Sequence, residues 1–117
     1  MYVKNISEVP REEVTAGSKT IRQVLIGPGE GPNFAMRRFV IQPGGNMPPH
    51  TNTVEHEQYV LNGRARVGIG DQIYEVEKND VVFIPAGIRH WYETIGEKPF
   101  EFLCMVPNQP DKLEVVK

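Results

Sequence analysis

The feature that most limits what this chain can fold into is its punctuation. Eight apolar runs, Thr20–Ile26, Phe34–Ile41, His56–Leu61, Arg64–Ile69, Ile73–Val76, Val81–Ile84, His90–Thr94 and Phe100–Val106, are each four to eight residues long and are separated by turn residues. Runs of that length suit strands and are too short for ordinary helices. The separators are specific. GPGEGPN divides the first two runs, Asn62-Gly63 predicts a type I′ hairpin, Gly70-Asp71 a second two-residue hairpin, and Asn79 before Asp80 a third tight corner. Composition agrees: Val (14) and Ile (9) far outnumber Leu and Ala (four each), and there are 11 Gly and 10 Pro. β-Branched side chains suit a pleated, half-buried surface, and so much Gly and Pro would break helices. No segment sustains a 3.6-residue period. The 117 residues therefore predict one all-β domain, an antiparallel sandwich or barrel.

Finer expectations follow along the chain. Residues 7–16, SEVPREEVTA, are expected to hold a helical turn with Ser7 as N-cap, limited by Pro10. QVLIG and RVGIG alternate, whereas VVFIP is continuously apolar and predicts a strand buried on both faces or at a barrel seam. The stretch after Pro107, NQPDKLEVVK, reads as an edge strand or a frayed end.

Charge and cysteine content exclude several classes. A formal net charge of -2 leaves no basic excess to neutralise phosphates, which argues against nucleic acid as the main partner. The single cysteine, Cys104, excludes an intramolecular disulfide framework and fits a reducing compartment. The opening MYVKNISEVPREE has no apolar stretch of signal-peptide length, and no run approaches the roughly 20 apolar residues of a membrane span. The expectation is a cytoplasmic protein with no membrane partner.

Chemistry concentrates on three histidines. His50 and His56 fall in GGNMPPHTNTVEHEQYVLNG and His90 in FIPAGIRHWYET. Neutral imidazole is the commonest metal ligand, and three converging rings would leave a coordination position open for water or substrate. Each histidine taken alone reads more readily as a solvated loop residue or a core ring bonded to backbone than as a ligand. Gly44-Gly45 and Pro48-Pro49 bend and stiffen the approach to His50, and Pro85 and Gly87 build the corner before His90.

These segments resemble the two motifs of the cupin superfamily. The first, G(X)5HXH(X)3,4E(X)6G, is matched by Gly44, His50, Asn52, His56 and Gly63 with its intervals intact. The second, G(X)5PXG(X)2H(X)3N, is matched by Asn79, Pro85, Gly87, His90 and Thr94. The resemblance spans residues 34–106, with strands and a helical turn before it over 1–33. Four positions depart from the pattern. Asn52 stands for the second motif-one histidine, His56 for the glutamate with Glu57 beside it, Asn79 for a glycine and Thr94 for the last asparagine. Neighbours on a strand face opposite ways, and His56 is taken as the inward one. Asn tolerates the left-handed conformation best among non-glycine residues, so Asn79 should keep the corner.

The resemblance implies a double-stranded β-helix, the jelly-roll barrel. It also implies one divalent transition metal (iron, manganese, zinc, nickel or copper) held by His50, His56 and His90, with Asn52 or a water as a further ligand. A dioxygenase-type enzyme acting on a small organic molecule is the first functional implication. A non-catalytic metal and small-ligand binding or sensing module is the second, and a structural barrel with idle histidines the third.

Strand parity nominates the pocket around such an ion. Tyr92 and Thr94 share a face with His90, Gln58 and Val60 with His56, and Phe100, Phe102, Cys104 and Val106 with one another. Arg37, grouped with Ala35, Phe39 and Ile41, points inward if its strand is regular and would suit an anionic ligand; otherwise it is a surface arginine with its stem packed on apolar neighbours. The pocket set is therefore Arg37, Gln58, Tyr92, Phe102 and Cys104, the last either a reactive thiol or a small buried hydrophobe. Trp91 should face outward. Edge strands left by a small open barrel would be protected in a homodimer.

Overall fold

The eight apolar runs all become strands. The structure, a computed structural model, describes residues Met1–Val116. Among these are one 3-10 turn, Ile6–Glu8, and ten strands: β1 Glu12–Glu13, β2 Ser18–Ile26, β3 Phe34–Thr51, β4 His56–Asn62, β5 Arg64–Ile69, β6 Gln72–Glu77, β7 Val81–Ile84, β8 His90–Ile95, β9 Phe100–Pro107 and β10 Glu114–Val115. The strand path is β6-β5-β8-β3-β9-β4-β7, with β2 and β10 also on β3, and β1 on β2. Every pairing is antiparallel. The sheet curls into a jelly-roll barrel, as the turn spacing and the motif resemblance imply. Among the described residues no helix is long and apolar enough to cross a membrane.

The 18-residue β3 makes the fold possible because it serves both halves of the barrel. Its first half, Phe34–Ile41, runs between β2 and β9; its second half, from Asn46, pairs with β8. Between them Gly44 takes φ +80°, and a side chain at Gly45 would press on the Ser18 carbonyl, so the bend needs small residues. Pro48 and Pro49 cannot donate to the ladder, and the register with β8 slips there, between Met47 and His50. His50 thus comes from a strand beyond a bend rather than from the bent loop that the glycines and prolines suggest.

Three expectations are corrected. Asn62-Gly63 does not turn a hairpin. Gly63 has φ +79°, but Asn62 stays in β4 opposite Glu101, and β4 pairs with β7 and β9 while β5 pairs with β6 and β8. The single glycine moves the chain from one half of the barrel to the other, close against the Pro99 carbonyl. VVFIP is not buried on both faces either: Val81 is 77% and Phe83 58% exposed, while Ile84 is buried. It ends the strand path, so one face has nothing to pack on. The N-terminal turn starts earlier and is capped by Asn5, not Ser7. Asn5 Oδ1 accepts from the Ser7 N–H (3.0 Å), and Glu8 accepts from the Asn5 N–H (2.7 Å).

Other punctuation behaves as read. Gly70 (φ +61°) turns β5 into β6, and Asn79 occupies the left-handed region at φ 76° where the motif has glycine. The stretch after Pro107 includes a two-residue edge strand, β10, against Thr51 and His50. The core holds Ile41, Val60, Val67, Ile84, Phe100 and Phe102, all essentially without exposure. Burying each such side chain contributes about 1.5–3 kcal/mol. Trp91 faces away from this core and lies over Gly68, leaving no room for a side chain there.

Candidate functional site

The ladder brings the histidines together. His50 and His90 are direct cross-strand partners on β3 and β8, and their rings sit 4.1 Å apart between centroids. His56 opens β4 in the other half of the barrel, with its ring 5.6 Å from that of His90. All three are buried. Alternation then puts Tyr92 and Thr94, and Gln58 and Val60, on the same inner face.

Backbone carbonyls orient two of the rings. His50 Nδ1 lies 2.8 Å from the Pro48 carbonyl and His90 Nδ1 3.0 Å from the Ile88 carbonyl. In the neutral ring that contact takes the Nδ1 proton and leaves the Nε2 lone pair for the cavity. His90 Nε2 and both nitrogens of His56 are buried without a hydrogen-bond partner. Burial, with added repulsion from Arg37 and the other two imidazoles, holds His56 down at about 3. Burial and His50 hold His90 at about 4, and burial lowers His50 as well. Near neutral pH the site therefore presents three uncharged imidazoles with free lone pairs.

Asn52 is also buried. Its Nδ2 donates to Asp111 Oδ2 at 3.3 Å, and its Oδ1 is buried and unpartnered. Its main-chain carbonyl accepts from the Gly87 N–H at 2.8 Å, which ties the first motif to the corner of the second. Nitrogen and oxygen donors of this kind fit a divalent transition metal. As the side chains stand, no three or more His, Cys, Asp or Glu groups among the described residues are placed so that they could hold a metal ion. Of the three rings, His56 is the one that no hydrogen bond anchors.

A cavity of about 250 Å³ opens beside the histidines. All nine residues singled out in the sequence (His50, Asn52, His56, His90, Arg37, Gln58, Tyr92, Phe102 and Cys104) line it. Phe39, Phe102 and Tyr92 form a stacked wall with successive centroid distances of 5.2 Å, and the Arg37 guanidinium lies 5.1 Å from the Phe39 ring. Arg37 Nη2 reaches Cys104 Sγ at 3.3 Å, and Arg37 Nε is buried without a partner. Gln58 Nε2 donates to the Tyr92 hydroxyl at 2.7 Å. Burial raises the Tyr92 phenol and, despite the nearby Arg37, the Cys104 thiol, so both stay protonated. That environment favours the packing reading of Cys104 over the reactive one.

Sequence reasoning missed Val14, Arg22, Met47, Asp111 and Leu113, which help complete the lining. Phe39, which parity groups with Arg37, lines it too although the pocket set left it out. Nothing local marks Asp111 or Leu113, because they arrive through the long-range pairing of β10 with β3.

Comparison with known proteins agrees with the geometry. The family model described as "Cupin domain" matches residues 37–106. The chain is 28% identical over 102 residues to 1-methylthio-D-xylulose 5-phosphate methylsulfurylase of Rhodospirillum rubrum, covering 87% of this chain and 65% of that protein. It is 27% identical over 108 residues to acireductone dioxygenase of Synechococcus sp., covering 88% of this chain and 55% of the relative. The chain thus spans just under two thirds and about half of the length of these two relatives. Among solved structures, the polyketide cyclase RemF from Streptomyces resistomycificus superposes with a TM-score of 0.88 at 28% identity, over 100% of this chain and 87% of that one.

Proposed function

The chain belongs to the cupin-domain family, and from that premise we propose that it is a metal-dependent enzyme acting on a small, planar organic anion, with a dioxygenase-type reaction as the first reading. His50, His56 and His90 would hold the ion. The observation that carries this reading is the set of neutral, unpartnered imidazole nitrogens inside the barrel. Buried polar atoms without partners are costly, and a cation would answer His90 Nε2 and one nitrogen of His56 at once. When bound, a divalent transition ion supplies Lewis acidity and, if it is iron(II), redox activity toward dioxygen.

The rest of the work falls to the chain itself. Arg37 has no carboxylate partner among the described ion pairs, so its charge is free for a carboxylate or enolate. The wall of Phe39, Phe102 and Tyr92 orients a planar ligand and keeps water out. Tyr92, accepting from Gln58, keeps its own O–H to donate to a ligand oxygen.

A second reading is favoured by the full-length match to a polyketide cyclase: a ring closure that consumes no oxygen. One experiment covers both. Tag-free protein is expected to carry close to one divalent transition ion per chain by elemental analysis. With a panel of planar enolic and carboxylate substrates, oxygen uptake matching turnover supports the dioxygenase, and turnover without uptake the cyclase. Protein that neither retains nor takes up a metal would end both readings. The proposal extends to a twofold dimer. Ile73, Tyr74, Val81 and Phe83 lie exposed on β6 and β7, the two ends of the strand path. Sedimentation velocity reads this directly, and a monomer throughout the micromolar range would remove it.

A further inference from the structure

We propose that the segment carrying β10 is a working part of the site: Asp111 positions the Asn52 amide so that its oxygen faces the histidines, making Asn52 the fourth donor to the ion. The inference rests on the metal reading above. It starts from a replacement that the motif leaves unexplained, an amide where the family has a second imidazole. An amide has two unlike ends, and only the oxygen can ligate a cation. The environment decides which end points in.

Asp111 makes that decision. A carboxylate has no proton to give, so the amide end facing Asp111 Oδ2 at 3.3 Å must be the NH2 group. The opposite end, Oδ1, is then buried without a partner, on a residue that lines the cavity with the three histidines. Asp111 is itself held in place. Its Oδ1 accepts from the Thr53 N–H at 3.0 Å and shares the Thr53 hydroxyl, which also donates to the Pro110 carbonyl at 3.1 Å. The Lys112 N–H returns to the Thr53 hydroxyl at 2.9 Å, and the Val116 N–H bonds the Pro49 carbonyl at 2.8 Å. The segment is therefore pinned across the same stretch, Pro49 to Thr53, that carries His50 and Asn52. Leu113 lies between these anchors and lines the cavity with Asp111.

The chemical consequence is a donor set with no charge. Three neutral imidazoles and an amide oxygen leave the full positive charge on the ion, whereas a carboxylate at the glutamate position would offset part of it. An anionic ligand is held more strongly by such an ion. The carboxylate that lines the cavity, Asp111, is spent on orientation.

Co2+ tests this, because its visible absorption reports the number and type of ligands. Chelator-treated protein is titrated with Co2+ alone. Asn52→Ala is expected to change the absorption band and weaken Co2+ binding about 10- to 100-fold, and Asp111→Ala to do the same. Asp111→Asn should recover the wild-type band only in part, since its one side-chain oxygen can accept from Asn52 but its NH2 would then face the Thr53 N–H. The double variant should bind no worse than Asn52→Ala alone. Thermal unfolding without metal checks that each variant folds. Should Asp111→Ala fail to fold, Asp111→Ser, too short to reach Asn52, replaces it. A wild-type band and affinity in Asp111→Ala would overturn the proposal, and so would a double variant that binds markedly worse than Asn52→Ala alone, which would show that Asp111 acts other than through Asn52. Failure of the wild-type protein to bind Co2+ would instead remove the metal reading, and this inference with it.

Discussion

In metal-free protein two buried histidines are expected to remove about 4 kcal/mol of folding stability between pH 7 and pH 5. The cause is the pair His56 and His90, whose folded values sit near 3 and 4 against an ordinary 6.5. Below pH 6.5 the unfolded chain takes up protons at these positions and the folded chain does not. Stability is therefore complete above the unfolded value and falls by about 1.4 kcal/mol per pH unit for each ring until the folded values are reached. Glu57 acts in the opposite direction. Burial, aided by Glu55, raises it to about 7, so it is protonated sooner in the folded chain and adds stability as the pH falls. Its side chain is partly exposed, and solvent screening discounts that contribution. Against a typical total of about 5–15 kcal/mol the histidine effect is large. Urea unfolding of chelator-treated protein at pH 7, 6 and 5 measures it. In His90→Gln the slope should fall by about half, and in Glu57→Gln it should steepen. Equal midpoints at pH 7 and pH 5 in Glu57→Gln would show that the rings are not held neutral by burial.

How much of this is legible in the sequence depends on how local each signal is. Strand bounds are local where turn residues flank an apolar run: Arg64–Ile69 and Val81–Ile84 form strands with the bounds read from the sequence. Inward and outward faces are legible too, because a two-residue period assigns Arg37, Gln58, Tyr92 and Cys104 to the interior once one partner on each strand is placed. Pairing partners are not. Asn62-Gly63 has the composition of a hairpin, yet whether β4 and β5 pair depends on β9 and β8 claiming their edges first. Burial of a short apolar run is equally hidden: Val81 and Phe83 are apolar and exposed because β7 ends the path. Asp111 marks the limit. It meets Asn52 across 59 positions in sequence, and no property of PDKLE announces it.

Removing His90 should cost more than any other single change at the site. Its ring is the one both other imidazoles approach, at 4.1 and 5.6 Å, and its Nε2 is oriented inward by the Ile88 carbonyl. His90→Ala removes a donor and leaves space beside two rings that would share the loss. Metal affinity is expected to fall well beyond the about 10- to 100-fold that loss of an outer hydrogen bond costs. The same physics that destabilises the metal-free protein in acid makes its folded site indifferent to acid. Protons compete with metal only at a ring that can be protonated; burial keeps His56 and His90 neutral down to about 3 and 4, and lowers His50 as well. Three exposed histidines at the ordinary 6.5 would lose metal affinity by several hundredfold, on the order of a factor of ten per ring, between pH 7 and pH 5.5. The folded wild-type protein should lose less than about tenfold over that range, the limit that one ordinary ring would set, because His56 and His90 stay neutral and His50 is itself lowered. Titration with a chromophoric chelator as competitor measures both effects. A steep loss of affinity by pH 5.5 in protein that is still folded would mean that the metal draws on exposed histidines, and retained affinity in His90→Ala would take His90 out of the ligand set.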